Sequence, residues 1–489
     1  MPDSTPVWAW LPGATEPVRA AALSSDGRRY RFQYDPAYLA QAVGTPALDP
    51  VELRLKPAVL TTQELPGVLL DAKPAGYGQD RLNAQLHDRY QRDLTELELL
   101  EAGPADGVSA IEVCHDIDRK LRWSPPSIEG LQHELERLEE GAPGSRAMRR
   151  ANGDAATSAG GERPKATFAH QGRLWLVKMQ DRGDRQGMPA MEYAAMTLAA
   201  QADIDAAPVR LQTVGPHQAL MVERFDRAGN PGTPQRSLFA SAHTVLQLPP
   251  AAVRGHALRS YPILADRMRI WGRNADPSML MRQLQQLWKR MAFNALVGNV
   301  DDHPRNHGLL FVDGAWQLAP AFDITPIWRP PQEHGASHMP VLAMATGADG
   351  SAGVEPQRLI AASGHFGMAA EEAAQYLLET SEMIVDRWEA TLRQALAPLA
   401  DRRPPAYADA VVNDTRAAFA LSYSIVDSPA LLAQAVQALH APGKADGGGS
   451  DADRLPGRKC RQCITAHRRP ANPHRPVPRT APHRSPTAA

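Results

Sequence analysis

Asp301, Asn306 and Asp323 are the residues of this chain whose types and spacing could do chemistry. Asp301 lies in the run Asn299-Val300-Asp301-Asp302-His303-Pro304-Arg305-Asn306, and Asp323 closes Ala319-Pro320-Ala321-Phe322-Asp323 downstream. An aspartate, a nearby asparagine and then a second aspartate is the order in which phosphoryl-transfer enzymes set a general base and the ligands of Mg2+. Magnesium prefers oxygen, which an amide and a carboxylate supply, while the remaining carboxylate accepts the proton of an attacking hydroxyl. Two other readings fit the same residues. Asp301, Asp302 and Asn306 could cap a helix and fill a polar loop. Asp301, Asp302, His303 and His307 could instead ligate a hydrolase metal, because histidines at this spacing share a helical face, although Pro304 between them disfavours a continuous helix.

The elements around these residues must bring them together. The apolar runs 309–312 and 316–318 flank Asp313-Gly314, a tight-hairpin signal that returns Asp323 to the end where Asn306 lies. Upstream, Asp276-Pro277 reads as a capped helix start, and Leu280, Leu284, Leu287, Trp288, Met291, Ala295 and Leu296 then form one apolar face of a long helix that delivers the chain to Asp301.

Earlier still, Thr157-Ser158-Ala159-Gly160-Gly161-Glu162-Arg163-Pro164-Lys165 is a small-residue loop whose backbone N–H groups could approach phosphates. It enters a strand pair over 166–179, turned at Gln171-Gly172, and a helix follows at 190–200. Lys178 could place an ammonium on nucleotide phosphates, with Glu192 orienting it, and the strand 219–225 runs into a connector that could meet an adenine edge. Taken singly, these are equally an exposed lysine, a solvated helix face and a core strand. The order of glycine loop, lysine strand, helix, connector, catalytic loop, hairpin and metal aspartate is what favours a kinase.

The rest of the chain sets bounds. Short strands are expected at 7–11, 30–34 and 51–55 in a small α/β unit, a linker or mobile loop at 141–161, and amphipathic helices near 370–392 and 408–421. From Gly443 the Gly-, Pro-, Arg- and His-rich tail lacks apolar periodicity and is expected to be disordered, so Cys460 and Cys463 read as incidental thiols rather than a zinc site. A net charge of −1 argues against electrostatic coating of nucleic acid, and the 3 cysteines offer no disulfide framework. With no long apolar stretch and no signal-like N-terminus, a soluble cytoplasmic protein without membrane contact is expected.

Over roughly residues 5 to 430 the chain resembles the HipA family of serine/threonine kinases, the toxins of bacterial HipBA-type toxin–antitoxin systems. The resemblance is carried by Ser158 to Lys165, Val222-Glu223-Arg224-Phe225-Asp226-Arg227, Gly298 to Asn306 and Leu318 to Asp323. It implies an α+β, bilobal protein-kinase-like fold with an N-terminal α/β subdomain and a mainly helical C-terminal lobe; with the compositional breaks, the expected division is 1–140, 141–235, 236–440 and a tail 441–489 outside the resemblance. It implies ATP and Mg2+ as cofactors, Asp301 as catalytic base, and Asn306 and Asp323 as metal ligands. Ala159, Gly160, Gly161, Glu162, Lys165, Lys178, Glu223, Arg224, Phe225, His303, Asn306 and Phe322 would line the nucleotide. Ser158, with Thr157 as the second choice, would be autophosphorylated, and the added charge would switch the kinase off. A cellular protein serine or threonine would be the substrate. A HipB-like helix-turn-helix antitoxin would be the partner, with DNA contact indirect through it. A non-catalytic nucleotide-binding regulator working with such an antitoxin is the alternative.

Overall fold

The computed structural model describes residues 4–41, 44–131, 164–180, 183–331 and 339–440. The expected linker at 141–161, the loop 157–163 and the tail from 441 lie outside them.

The N-terminal part is a five-stranded antiparallel sheet in the order β4-β3-β2-β1-β5, built from β1 (Thr5–Trp10), β2 (Pro17–Ser25), β3 (Tyr30–Tyr34), β4 (Leu60–Thr62) and β5 (Ile111–Val113). Its strands alternate as a half-buried sheet must, with Val7, Ala9 and Leu23 fully inside. The expected strands at 7–11 and 30–34 are present, but 51–55 is an irregular turn. The Asp49 carboxylate accepts from the N–H groups of Val51 (2.7 Å) and Glu52 (2.8 Å), which diverts that backbone from ladder bonds despite its alternating pattern.

A second antiparallel sheet, β6-β7-β9-β8, contains β6 (Lys165–His170), β7 (Arg173–Met179), β8 (Val209–Val214) and β9 (His217–Glu223). Gln171 and Gly172 both take positive φ (49° and 72°), the conformation of a two-residue hairpin turn matched to strand twist. The helix Met188–Gln201 packs against this sheet and buries almost its whole circumference, which is why it reads as apolar rather than amphipathic.

Short strands β10 (Arg227–Ala228) and β11 (Gln235–Arg236) pair with each other, and β12 (Phe239–Ser241), β13 (Gly308–Val312) and β14 (Ala315–Leu318) form a third sheet. The remainder is largely helical, with irregular segments such as 319–331 and 339–355. Pro277–Leu296 is capped by Asp276, whose carboxylate accepts from the backbone of Ser278 (3.0 Å) and Met279 (3.1 Å). Ala370–Leu396 buries Leu377, Ile384, Trp388 and Leu392 along one stripe. The helix expected at 408–421 is divided into Tyr407–Thr415 and Ala420–Asp427 by a 3-10 turn, and Phe419 in that turn stacks on Trp388 at 4.6 Å. Among the described residues no single helix is long and apolar enough to cross a membrane.

Candidate active site

The helix Pro277–Leu296 ends in a motif that aims the next loop. The Gly298 N–H donates to Ala295 (3.2 Å) and the Asn299 N–H to Asn294 (2.8 Å), with Gly298 left-handed at φ 61°. A Cβ on Gly298 would lie 2.3 Å from the Ala418 carbonyl oxygen, so only glycine fits both the φ and the space. Gly298→Ala is therefore expected to destabilise the fold by more than ~1 kcal/mol, read as a lower urea midpoint; an unchanged midpoint contradicts this role.

Past that turn, adjacent aspartates take opposite environments. Asp301 is exposed, and the Asn306 amide nitrogen donates to its carbonyl (2.9 Å), leaving the amide oxygen as the atom available to a cation. Asp302 is fully buried: it accepts from the Tyr261 hydroxyl (2.5 Å) and the Ala343 N–H (2.6 Å). Burial pushes its carboxyl up to about 7, partly opposed by the Tyr261 bond, and pushes neighbouring His307 down to about 3. Asn294 donates to the Tyr261 hydroxyl (3.0 Å), and Asn299 donates to Asn294 (3.0 Å). This network stiffens the loop from beneath. Sequence reasoning missed it, although Arg290 and Asn294 are polar residues at core spacing on the helix.

His303 precedes a 3-10 turn, Pro304–Asn306, and His307 is buried beyond it. The helical face that the metal-hydrolase reading needs is absent, and no group of three or more His, Cys, Asp or Glu side chains able to hold a metal occurs among the described residues.

The hairpin returns the chain as its sequence implies. Asp313 and Gly314 adopt φ 51° and 79°, and Asp323 follows, itself left-handed at φ 62°. Lys178 from β7 is clasped between Glu192 (2.6 Å) and the Asp323 carboxylate. Its side chain is 13% exposed. Burial opposes the Lys178 charge, but Asp323 and Glu192 outweigh it and hold its pKa above the ordinary value. Burial likewise opposes ionisation of Asp323, yet Lys178, then Lys165, and more weakly His303 keep it far below the usual carboxylate range. Lys165 sits directly across from Lys178 in the β6–β7 register. Lys165, Lys178 and His303 thus share one electrostatic neighbourhood with Asp323. Asp323 and Asn306 carry a carboxylate and an amide oxygen, donors of the kind that suit Mg2+.

At the connector, the Glu223 N–H donates to Pro208 (2.9 Å), and Pro208, directly opposite, has no N–H to return the bond to the Glu223 carbonyl. The Phe225 ring lies 5.6 Å from Phe322 and 6.0 Å from Phe239. Arg224 enters the expected adenine contact through its backbone, and its side chain is engaged elsewhere. Its guanidinium is buried against Asp106 (2.5 Å) and Asp226 (2.9 Å), so only its backbone is left for a nucleotide. Ser158, Thr157, Ala159, Gly160, Gly161 and Glu162 lie outside the described residues.

Comparison with known proteins matches the same segments. The model of the HipA N-terminal domain matches residues 14–114, and that of the HipA-like C-terminal domain matches 157–388. Y4mE of Sinorhizobium fredii (strain NBRC 101917 / NGR234), a kinase by name, is 29% identical over 140 residues, 28% of this chain and 32% of that protein. The match thus spans about a third of that relative's length. The Shewanella oneidensis MR-1 HipA chain, solved in a complex of HipA, HipB and operator DNA, superposes with a TM-score of 0.60 at 17% identity, over 88% of this chain and 99% of that one. At that identity the likeness concerns the fold.

Proposed function

The chain belongs to the HipA family, and from that premise we propose that it is an ATP- and Mg2+-dependent kinase acting on a serine or threonine of a cellular protein. The observation that carries this reading is Lys178 held between Glu192 and Asp323 beside the loop of Asp301 and Asn306. In this assignment the exposed Asp301 carboxylate accepts the proton of the attacking hydroxyl. Asn306 and Asp323 would hold the metal, which neutralises phosphate charge when bound. Lys178 sets its ammonium on the phosphates, and Glu192 keeps that ammonium oriented when Asp323 turns to the cation. The free Glu223 carbonyl and the Phe225 backbone take the adenine edge, with Phe322 beside it. Lys165 adds positive charge at the same end, with His303 beside it.

The division into an N-terminal subdomain (1–140), a nucleotide lobe (141–235), a catalytic lobe (236–440) and a tail is part of this proposal. So is control by phosphorylation of Ser158 and by a HipB-like helix-turn-helix antitoxin, through which DNA contact is indirect. The antitoxin is supported by the company in which the Shewanella protein was solved. Incubation with ATP and Mg2+ followed by intact-mass spectrometry is expected to add phosphate to the wild type and not to Ser158→Ala. An unchanged phosphate count in Ser158→Ala rejects that residue.

A further inference from the structure

The N-terminal subdomain reaches into the nucleotide connector through one loop, 105–110. Asp106 and Ser109 in that loop are buried, and Ser109 is left-handed at φ 86°, a conformation a serine rarely takes without external constraint. The constraint is visible. The Arg224 guanidinium donates to the Asp106 carboxylate (2.5 Å), the Asp106 carbonyl (3.1 Å) and the Gly107 carbonyl (3.1 Å). Arg227 donates to the carbonyls of Gly107 (2.6 Å) and Ser109 (2.9 Å). In return, the Ser109 N–H donates to Asp226 (3.0 Å), and the Ser109 hydroxyl accepts from the Phe239 N–H (2.9 Å). Between these two tethers Val108 packs into the apolar cluster of Phe225, Phe239 and Phe322.

Phe225 is thereby bracketed. Arg224 and Asp226 on either side of it are fixed to one another and to the loop by buried charged hydrogen bonds, while its ring rests on Phe322, the neighbour of Asp323. A connector of this kind keeps its backbone groups in register only as well as its flanking residues are held. We propose that Asp106 is a positioning residue for nucleotide binding, acting from the N-terminal subdomain through Arg224 on the 223–225 backbone. The inference rests on the kinase reading above and extends it to a residue outside the catalytic lobes.

Glu112 provides the internal control. It belongs to the same subdomain, is equally buried, and holds Lys120 (2.6 Å) and Arg236 (3.0 Å), which reaches the loop only at the Ala105 carbonyl (2.9 Å), and it touches none of residues 223–225. Asp106→Asn and Glu112→Gln each remove one buried carboxylate charge without changing shape. Equilibrium binding of ADP with Mg2+ and steady-state phosphotransfer are measured for both, with thermal midpoints recorded alongside. Asp106→Asn is expected to weaken ADP binding and raise the KM for ATP by roughly tenfold, within the usual range for coupling between sites, with kcat within about twofold. Glu112→Gln is expected to lower the midpoint while leaving both nucleotide constants unchanged. If Asp106→Asn does not fold, Arg224→Lys, which keeps the charge but loses the forked contacts, is expected to show the same KM effect. A folded Asp106→Asn or Arg224→Lys with wild-type nucleotide constants overturns the proposal, as does an equal shift in Glu112→Gln. A wild type that binds no nucleotide removes the kinase reading itself, an outcome visible before any variant is compared.

Discussion

Lys178→Met is expected to lower phosphotransfer by at least ~10²-fold, the scale of removing one positioned electrostatic donor from a reaction centre. The loss has two sources. The ammonium that would meet the phosphates is gone, and Glu192 and Asp323 are left facing each other without the cation between them. Asp323 keeps 31% of its side chain exposed, so solvent screens part of the repulsion, and the stability cost is expected to be on the order of 2 kcal/mol. The pH dependence follows from the directions of the shifts. Asp323 has a depressed pKa, so its contribution is complete above its ordinary value of 3.8 and is lost as pH falls through the lower folded value. Lys178 has a raised pKa, so its contribution is complete below 10.5 and is lost as pH rises through the folded value. The stability difference between wild type and Lys178→Met should therefore be flat across neutral pH and shrink at both extremes. Denaturant midpoints across that range check it, and a difference that changes most near neutrality contradicts the assignment.

Asp301→Asn isolates proton transfer from nucleotide binding. Asp301 is exposed, so the substitution is expected to leave the thermal midpoint within about a degree, as for most surface changes. Removing a general base typically costs ~10²–10⁴-fold in rate, and that loss should fall on kcat, with ADP affinity unchanged. Asp302→Asn should behave in the opposite way. It disturbs the bond from Tyr261 and the hold on the Ala343 backbone, so its effect is on stability as well as rate. A variant series in which Asp302→Asn alone abolishes kcat at wild-type stability would exchange the roles of the two aspartates.

The legible parts of the fold were those written in local chemistry. Gln171-Gly172 and Asp313-Gly314 each specify a two-residue turn through positive φ, and Asp276-Pro277 marks a helix start by capping. These suffice to align Asn306 with the strand that leads to Asp323. The run 51–55 was misread because a residue outside it, Asp49, captures its backbone N–H groups, and alternation carries no trace of that competition. The break between the two helices at 416–419 likewise sits in a tertiary contact, the stack of Phe419 on Trp388.

Within the site, the kinds of residues were legible but not all their partners. Lys178 meets Asp323 across 145 positions, and Arg224 meets Asp106 across 118. No periodicity or motif encodes such distances. The expected nucleotide contact at Arg224 is through its backbone, and nothing in the motif shows that its side chain pairs with Asp106. The buried polar positions on the helix Pro277–Leu296, Arg290 and Asn294, were a usable signal: such groups at core spacing require partners, which for Asn294 is the Tyr261 hydroxyl under the Asp301 loop and for Arg290 the carbonyls of Ala319 and Asp205.

Transfer of the γ-phosphate of ATP to a hydroxyl is the activity we propose for this site. Single-turnover reaction of labelled ATP with excess wild-type protein, run with and without Mg2+ and analysed for label on serine and threonine, tests it most directly. Metal-dependent appearance of protein-bound phosphoserine or phosphothreonine at the rate of ATP loss is the predicted result. Tight binding of ATP that is then recovered intact, with and without Mg2+, overturns the kinase reading and leaves a nucleotide-binding regulator in its place.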